Sequence, residues 1–305
     1  TAAQRARAVD ADGQMPDAQG ISVRVVIGFD QPFTMIGERI NPTGRKLFSK
    51  ELKEFNYWRV KKEALAQVEA GAQILDVNVG VPLADEALIM SEVIPLIQSL
   101  TDTPLCIDSS IMDALEAGLK VYKGRPLLNS TTAEEEVMER ILPLVAKYDC
   151  AVVAISNDDT GISEDPDVRF EVAKRIVNRA SDYGIKPEDV VVDPLVMPIG
   201  AINNAGKQVM ELVNKLQTKL KVNTACGASN LSFGLPNRGG LNAAFIAMAI
   251  SSGMPCAITN PLEKEIMQSI RGANTIMGND PECSEWIKNY RDPSEQRSKR
   301  KRRRR

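Results

Sequence analysis

Gln73-Ile74-Leu75-Asp76-Val77-Asn78-Val79, an amphipathic stretch over 84–100, and then Pro104-Leu105-Cys106-Ile107-Asp108 form the unit from which the fold is read. Each short run is apolar enough for a strand covered on both faces, and the stretch between suits a helix that crosses back. The unit recurs along the chain. Strand candidates fall over 33–37, 73–79, 104–108, 126–129, 151–156, 190–193, 221–225 and 255–258. Helix candidates lie near 50–70, 84–100, 111–120, 134–147, 166–183, 206–219, 240–252 and 262–277. Eight repeats at this spacing predict an α/β fold, a parallel sheet closed into a (β/α)8 TIM barrel. The rival is a doubly wound open sheet, which usually has fewer strands.

Local signals agree with this division. Ala64, Leu65 and Val68 are expected on one face of the first helix, with Gly71 stopping it. Thr131 and Thr132 are placed to cap a helix starting at Ala133, and Glu134 to Glu136 suit its first turn. Pro166 suits the first turn of the fifth helix, and Gly184 follows its end. The expected organisation is an N-terminal extension over 1–30, one barrel domain over 31–290 and a basic, disordered tail over 291–305.

Composition narrows the chemistry. The chain has 305 residues, 43% apolar and 26% charged, which fits a soluble globular protein, and it has no histidine. That removes the commonest general base and metal ligand, so carboxylates, amides, hydroxyls, lysines or a borrowed cofactor must act. The five cysteines are scattered without a C-x-x-C pair, which argues for buried packing rather than disulfides or structural zinc. No apolar run is long enough for a membrane helix, and residues 1–30 lack the layout of a signal peptide, so a cytoplasmic protein is expected. The net charge of −2 conceals eight positive charges over 297–305, leaving residues 1–296 at −10. Such a terminal run reads as a solvated tail and not as a nucleic-acid site, because no aromatic platform or basic domain accompanies it.

The informative residues stand at the strand ends. The runs end in Gly37-Glu38-Arg39-Ile40-Asn41, Leu75-Asp76-Val77-Asn78, Ile107-Asp108-Ser109, Leu128-Asn129-Ser130 and Asp193-Pro194-Leu195, and the seventh enters Gly227-Ala228-Ser229-Asn230. One Asp or Asn at a strand end is ordinarily a helix cap. Several at the same end of successive barrel strands converge on one mouth, where active sites of this architecture are built. Asp108, Asn129, Asp193 and Asn230 together would offer acceptors and amides to a neutral, nitrogen-rich ring. An amino-pyrimidine edge would supply the donors that each buried Asp needs. Asp76 and Asn78 lie two apart and so share a face, where they either line the site or bond neighbouring loops. Glu38 and Arg39 would form an ion pair at the entrance, with structure and binding equally open. Asn157-Asp158-Asp159-Thr160-Gly161 reads as a solvent loop rather than a metal site.

These motifs, with Ser229-Asn230-Leu231-Ser232-Phe233-Gly234-Leu235-Pro236-Asn237-Arg238, resemble the pterin-binding methyltransferases in type and order over roughly residues 33–280. That family includes methyltetrahydrofolate:corrinoid protein methyltransferases and the folate domain of cobalamin-dependent methionine synthase. The resemblance implies a barrel akin to dihydropteroate synthase. It implies that Asp108, Asn129 and Asp193 hydrogen-bond the pterin and that Asn230 approaches nitrogen 5, the methyl-bearing atom, as the catalytic residue. Arg238 falls near the folate's outer portion or in the loop's own packing, and Asn41, Asp76, Asn78 and Ser229 are further site-lining candidates. The chain departs from the family at Thr224-Ala225-Cys226-Gly227-Ala228, which is less aliphatic than usual, at residues 1–30 and at the basic tail.

The implied reaction moves a methyl group between nitrogen 5 of tetrahydrofolate and the cobalt of a corrinoid (cobalamin). The corrinoid is expected on a separate protein that docks at the mouth, since no corrinoid-binding module follows the barrel and the chain has no histidine for cobalt. No metal bound by this chain is expected, and a homodimer is the family's habit. Two alternatives remain. One is the dihydropteroate synthase reaction, whose Ser-Thr-Arg phosphate loop is not supplied by Gly80-Val81-Pro82-Leu83. The other is a non-catalytic folate-binding protein.

Overall fold

The structure is a computed structural model that describes residues 6–7 and 24–291. The basic run over 297–305 and most of the N-terminal extension lie outside the described residues. Eight strands run parallel: β1 Thr34–Ile40, β2 Ile74–Asn78, β3 Leu105–Asp108, β4 Leu127–Thr131, β5 Ala151–Ile155, β6 Val190–Asp193, β7 Asn223–Thr224 and β8 Cys256–Thr259. They are ordered β8-β1-β2-β3-β4-β5-β6-β7. A parallel bridge between Gly227 and Ile258 and a 2.9 Å bond from Ile258 N to Cys226 O join the last two strands, so the sheet closes as the repeat predicts.

Side-chain alternation divides the sheet into two packed layers. Ile36, Ile74, Cys106, Leu127, Ala151, Val153, Val191, Ala225 and Cys256 fill the barrel interior. Ile27, in a two-residue strand paired antiparallel with Ala6–Arg7, packs into the same cluster, and its carbonyl accepts from Asn223 Nδ2 at 3.3 Å. Alternate residues such as Leu75, Val77, Leu105, Ile107 and Val152 face outward under the helices. The helices are α1 Lys46–Lys53, α2 Trp58–Ala70, α3 Glu86–Gln98, α4 Met112–Val121, α5 Glu135–Lys147, α6 Pro166–Asp182, α7 Ala205–Lys215, α8 Arg238–Ser251, α9 Lys264–Ile276 and α10 Ser284–Tyr290. Asp85 caps α3 by accepting from Leu88 N, and Asp165 caps α6 from Asp167 N.

Several local expectations are corrected. The first helix is two, broken where Phe55 takes φ 54°. On α2 the buried face is Val60, Glu63, Ala64 and Gln67, while Leu65 is exposed about a quarter-turn away. Thr131 and Thr132 lie before α5, which is preceded by Glu134 and has no side-chain cap; Thr132 Oγ1 accepts from Glu134 N at 3.4 Å. Gly71 ends α2 at φ 105°, as expected of a residue without a Cβ. Cys106, Cys150, Cys226 and Cys256 are buried and Cys283 is exposed; all five are free thiols. The loop after β5 is a tight turn, with Thr160 N donating to Asp158 Oδ1 and Arg175 paired to Asp158 at 2.9 Å.

Candidate active site at the barrel mouth

Strand parity delivers the site. Residues Asp76 and Asn78 continue the inward file of Ile74, Asp108 that of Cys106, Asn129 that of Leu127, and Asp193 that of Val191. Register then sets them side by side, Asn78 opposite Asp108 and Asp108 opposite Asn129. Asn78 Nδ2 donates to Asp108 Oδ2 at 2.9 Å, while its carbonyl oxygen accepts from Gly80 N at 2.9 Å. Asn129 Nδ2 reaches Asp76 Oδ1 at 3.4 Å. Asp76 and Asn78 therefore both face the barrel mouth and both bond their neighbours.

The carboxyls here are held away from their ordinary charge state. Burial, then the nearby Asp108, raises Asp76 well above the usual carboxylate range. Protonated, Asp76 donates to Asp108. Asp108 is pushed up to about 6 by burial, against the opposing bonds from Asn78 and Asp76. Asp193 is pushed up to about 7, again by burial, opposed by the Leu195 N–H at 2.7 Å and by Arg169. Buried carboxyls with few donors accept N–H groups from a ligand at little desolvation cost, because that cost is already borne by the fold.

The loop after β7 closes the site on the other side. Ala228–Asn230 form a 3-10 turn, with Asn230 N donating to Gly227 O at 3.1 Å. Asn230 is exposed, and its Nδ2 lies 3.1 Å from where a Cβ on residue 227 would stand, a close approach that glycine permits. Arg238 Nη2 donates to Ser229 O at 2.6 Å and Nε to Ser232 Oγ at 3.0 Å, so Arg238 serves the packing of its own loop. Asn41 is turned to a local role, accepting from Thr43 N at 2.9 Å.

The expected ion pair of Glu38 with Arg39 is not what forms. Neighbours on a strand face opposite sides, so Glu38 follows Ile36 inward while Arg39 turns outward. Arg39 goes outward to Glu63 of α2 at 3.3 Å, where Arg45 also binds. Glu38 meets the Ser229 hydroxyl, at 2.9 and 2.8 Å from its two oxygens. Sequence reading also missed Arg169, which is only 1% exposed and donates to the carbonyls of Pro194 and Leu195 at 2.7 and 3.1 Å. It pins the loop after Asp193; its place on α6, remote in sequence, gave no sign of this.

Comparison with known proteins agrees with this geometry. Residues 37–260 match the family described as pterin binding enzyme. A methylcorrinoid:tetrahydrofolate methyltransferase of Eubacterium limosum is 29% identical over 265 residues, covering 84% of this chain and 96% of the relative. Among solved structures, Yersinia pestis DHPS with a pterine-sulfa conjugate superposes with a TM-score of 0.65 at 16% identity, covering 83% of this chain and 96% of that one. Dihydropteroate synthase from Xanthomonas albilineans in complex with 7,8-dihydropteroate gives 0.61 at 18% identity, with 82% and 95% covered. The structural likenesses establish the barrel, and the family match spans its strands from Gly37 to Asn260: the chain belongs to the pterin-binding enzymes.

Proposed function

We propose that this protein transfers a methyl group between a corrinoid carried by a separate protein and nitrogen 5 of tetrahydrofolate, at the mouth of the barrel. The observation that carries the reading is the linked set Asn78, Asp108, Asp76 and Asn129, with Asp193 at the same end of its own strand. It alternates acceptors and amide groups on a rigid floor, which is what the amino-pyrimidine edge of a pterin requires. The name of the Eubacterium limosum relative supports the same chemistry.

The corrinoid's cobalt supplies the other partner of the methyl group. The residues of this chain hold and orient the pterin. Asp108 and Asp193 accept ring N–H groups, and Asn129 supplies an amide; together they fix the direction in which nitrogen 5 points, a positioning effect. When the methyl leaves, nitrogen 5 keeps the carbon–nitrogen electron pair and takes up a proton; when the methyl arrives, nitrogen 5 gives its lone pair to the new bond, gains positive charge and releases its proton. Asn230 presents both an acceptor and a donor, so it serves that nitrogen in either protonation state. A hydrogen bond that strengthens in the transition state lowers the barrier by about 2–4 kcal/mol.

Isothermal titration calorimetry of tetrahydrofolate against the wild type and Asp108→Ala tests the pterin site. Saturable binding is expected, weakened at least about tenfold by the substitution, the loss of one charge-assisted hydrogen bond. Equal affinity in the two proteins would refute the site.

A further inference from the structure

We infer that Glu38 is a positioning residue for this reaction, which holds the catalytic Asn230 in place by gripping the hydroxyl of Ser229. The inference rests on the methyl-transfer reading and adds a residue to it. Ser229 immediately precedes Asn230, and both lie in the 3-10 turn Ala228–Asn230. The Ser229 hydroxyl sits between the two Glu38 oxygens, at 2.9 and 2.8 Å. On its other side, the Ser229 carbonyl accepts from Arg238 Nη2 at 2.6 Å. The residue is thus clamped from two elements far apart in sequence, the bulged end of β1 and the start of α8. Asn230 is exposed and, among the described residues, has only main-chain hydrogen bonds, so its placement depends on the turn that carries it.

Strand alternation on β1 aims Glu38 at this turn. Gly37 pairs with Leu75 and Ile40 with Val77, so three steps on β1 match two on β2. Glu38 follows Ile36 in the inward file of β1, which brings it to the β7 loop; the extra residue instead turns Ile40 outward with Val77, under the helices. The carboxyl has a costly setting. Burial raises its pKa, and the Ser229 bond opposes that rise. Glu263 ahead of α9 repels it, Arg39 and Arg238 attract it, and Asp76 of β2 faces it within the mouth. A carboxylate kept in such surroundings, with a hydroxyl as its one direct hydrogen-bond partner among the described residues, is more than a solvated strand-end charge.

Four variants test the role: Glu38→Ala, Glu38→Gln, Ser229→Ala and the Glu38→Ala/Ser229→Ala double. Methyl transfer between methylcobalamin and tetrahydrofolate gives kcat and the folate KM for each. Glu38→Ala and Ser229→Ala are each expected to lower kcat about tenfold while KM moves less than about twofold, since the pterin floor is untouched. Glu38→Gln keeps an acceptor for Ser229 and recovers most of the loss. The double variant is no worse than either single one, as for two ends of one bond. Wild-type kcat in Glu38→Ala, equal damage in Glu38→Gln and Glu38→Ala, or losses that multiply in the double would each overturn the inference. A second readout is independent of turnover. Amide hydrogen exchange over residues 227–234 is expected to quicken in Glu38→Ala while the strands keep their protection. Unchanged exchange there overturns the positioning role. A wild type with no methyl transfer would instead refute the reaction, and the exchange result would still decide what Glu38 does to the turn.

Discussion

Asn78 donates to Asp108 across the β2–β3 register, and this 2.9 Å bond keeps a buried carboxylate partly ionised. Burial alone drives Asp108 upward; the Asn78 bond is the largest opposing influence. Replacing Asn78 with Ala is therefore expected to raise the Asp108 pKa above its present value of about 6. Carbon-13 NMR of the labelled side-chain carboxyl, followed from acid to neutral pH, measures it. A midpoint that stays put or falls would show that the bond does not stabilise the charge.

Asn230→Ala removes the amide placed for nitrogen 5. The expected loss in kcat is at least about tenfold, one transition-state hydrogen bond, with folate affinity largely kept because the floor residues remain. Steady-state kinetics paired with calorimetry separates the two effects. Full activity would remove Asn230 from the chemistry.

Much of this site is legible in the sequence because a barrel strand has a fixed period. Once the strands over 73–79 and 104–108 are recognised, Asp76, Asn78 and Asp108 must face inward near the C-terminal ends. The same rule sets Glu38 and Arg39 on opposite faces, so an ion pair between them runs against it; the bulge, which no residue type announces, turns Ile40 outward. Arg169 is missed for a different reason: a charged residue on an amphipathic helix looks solvated, and only the tertiary fold buries it against Pro194 and Leu195. The split between α1 and α2 rests on Phe55 in a left-handed conformation, which its type disfavours and which a sequence pattern does not foretell.

Arg169→Met keeps an apolar stem but removes the donors from the carbonyls of Pro194, which is buried, and Leu195, which is half-buried. The expected destabilisation is about 2–4 kcal/mol, read as a lower urea midpoint with an unchanged slope. Because Arg169 also attracts the Asp193 carboxylate, its loss raises the Asp193 pKa further. A midpoint equal to that of the wild type would mean that the loop after β6 stands without this anchor.

Asp193 gives a pH dependence of definite sign. Its folded-state pKa of about 7 lies above its ordinary value of 3.8, so the folded protein holds a proton that the unfolded chain releases. The stability this contributes is complete below 3.8 and is lost progressively as pH rises from there through about 7. Asp193→Asn mimics the protonated form and can still accept from Leu195 N. Its melting temperature relative to the wild type should climb as pH rises from about 4 to about 7 and level off above that, by thermal unfolding. A difference that is constant across this range, or reversed, would contradict the raised pKa.

The most direct measurement of the central claim uses carbon-13 methylcobalamin and tetrahydrofolate as substrates. The protein is incubated with both, and the carbon-13 NMR spectrum is followed with time. The label is predicted to leave cobalt and appear on nitrogen 5, in the wild type and far more slowly in Asn230→Ala. A methyl resonance that stays on cobalt with folate demonstrably bound would contradict methyl transfer and leave a folate-binding protein or another pterin reaction in its place.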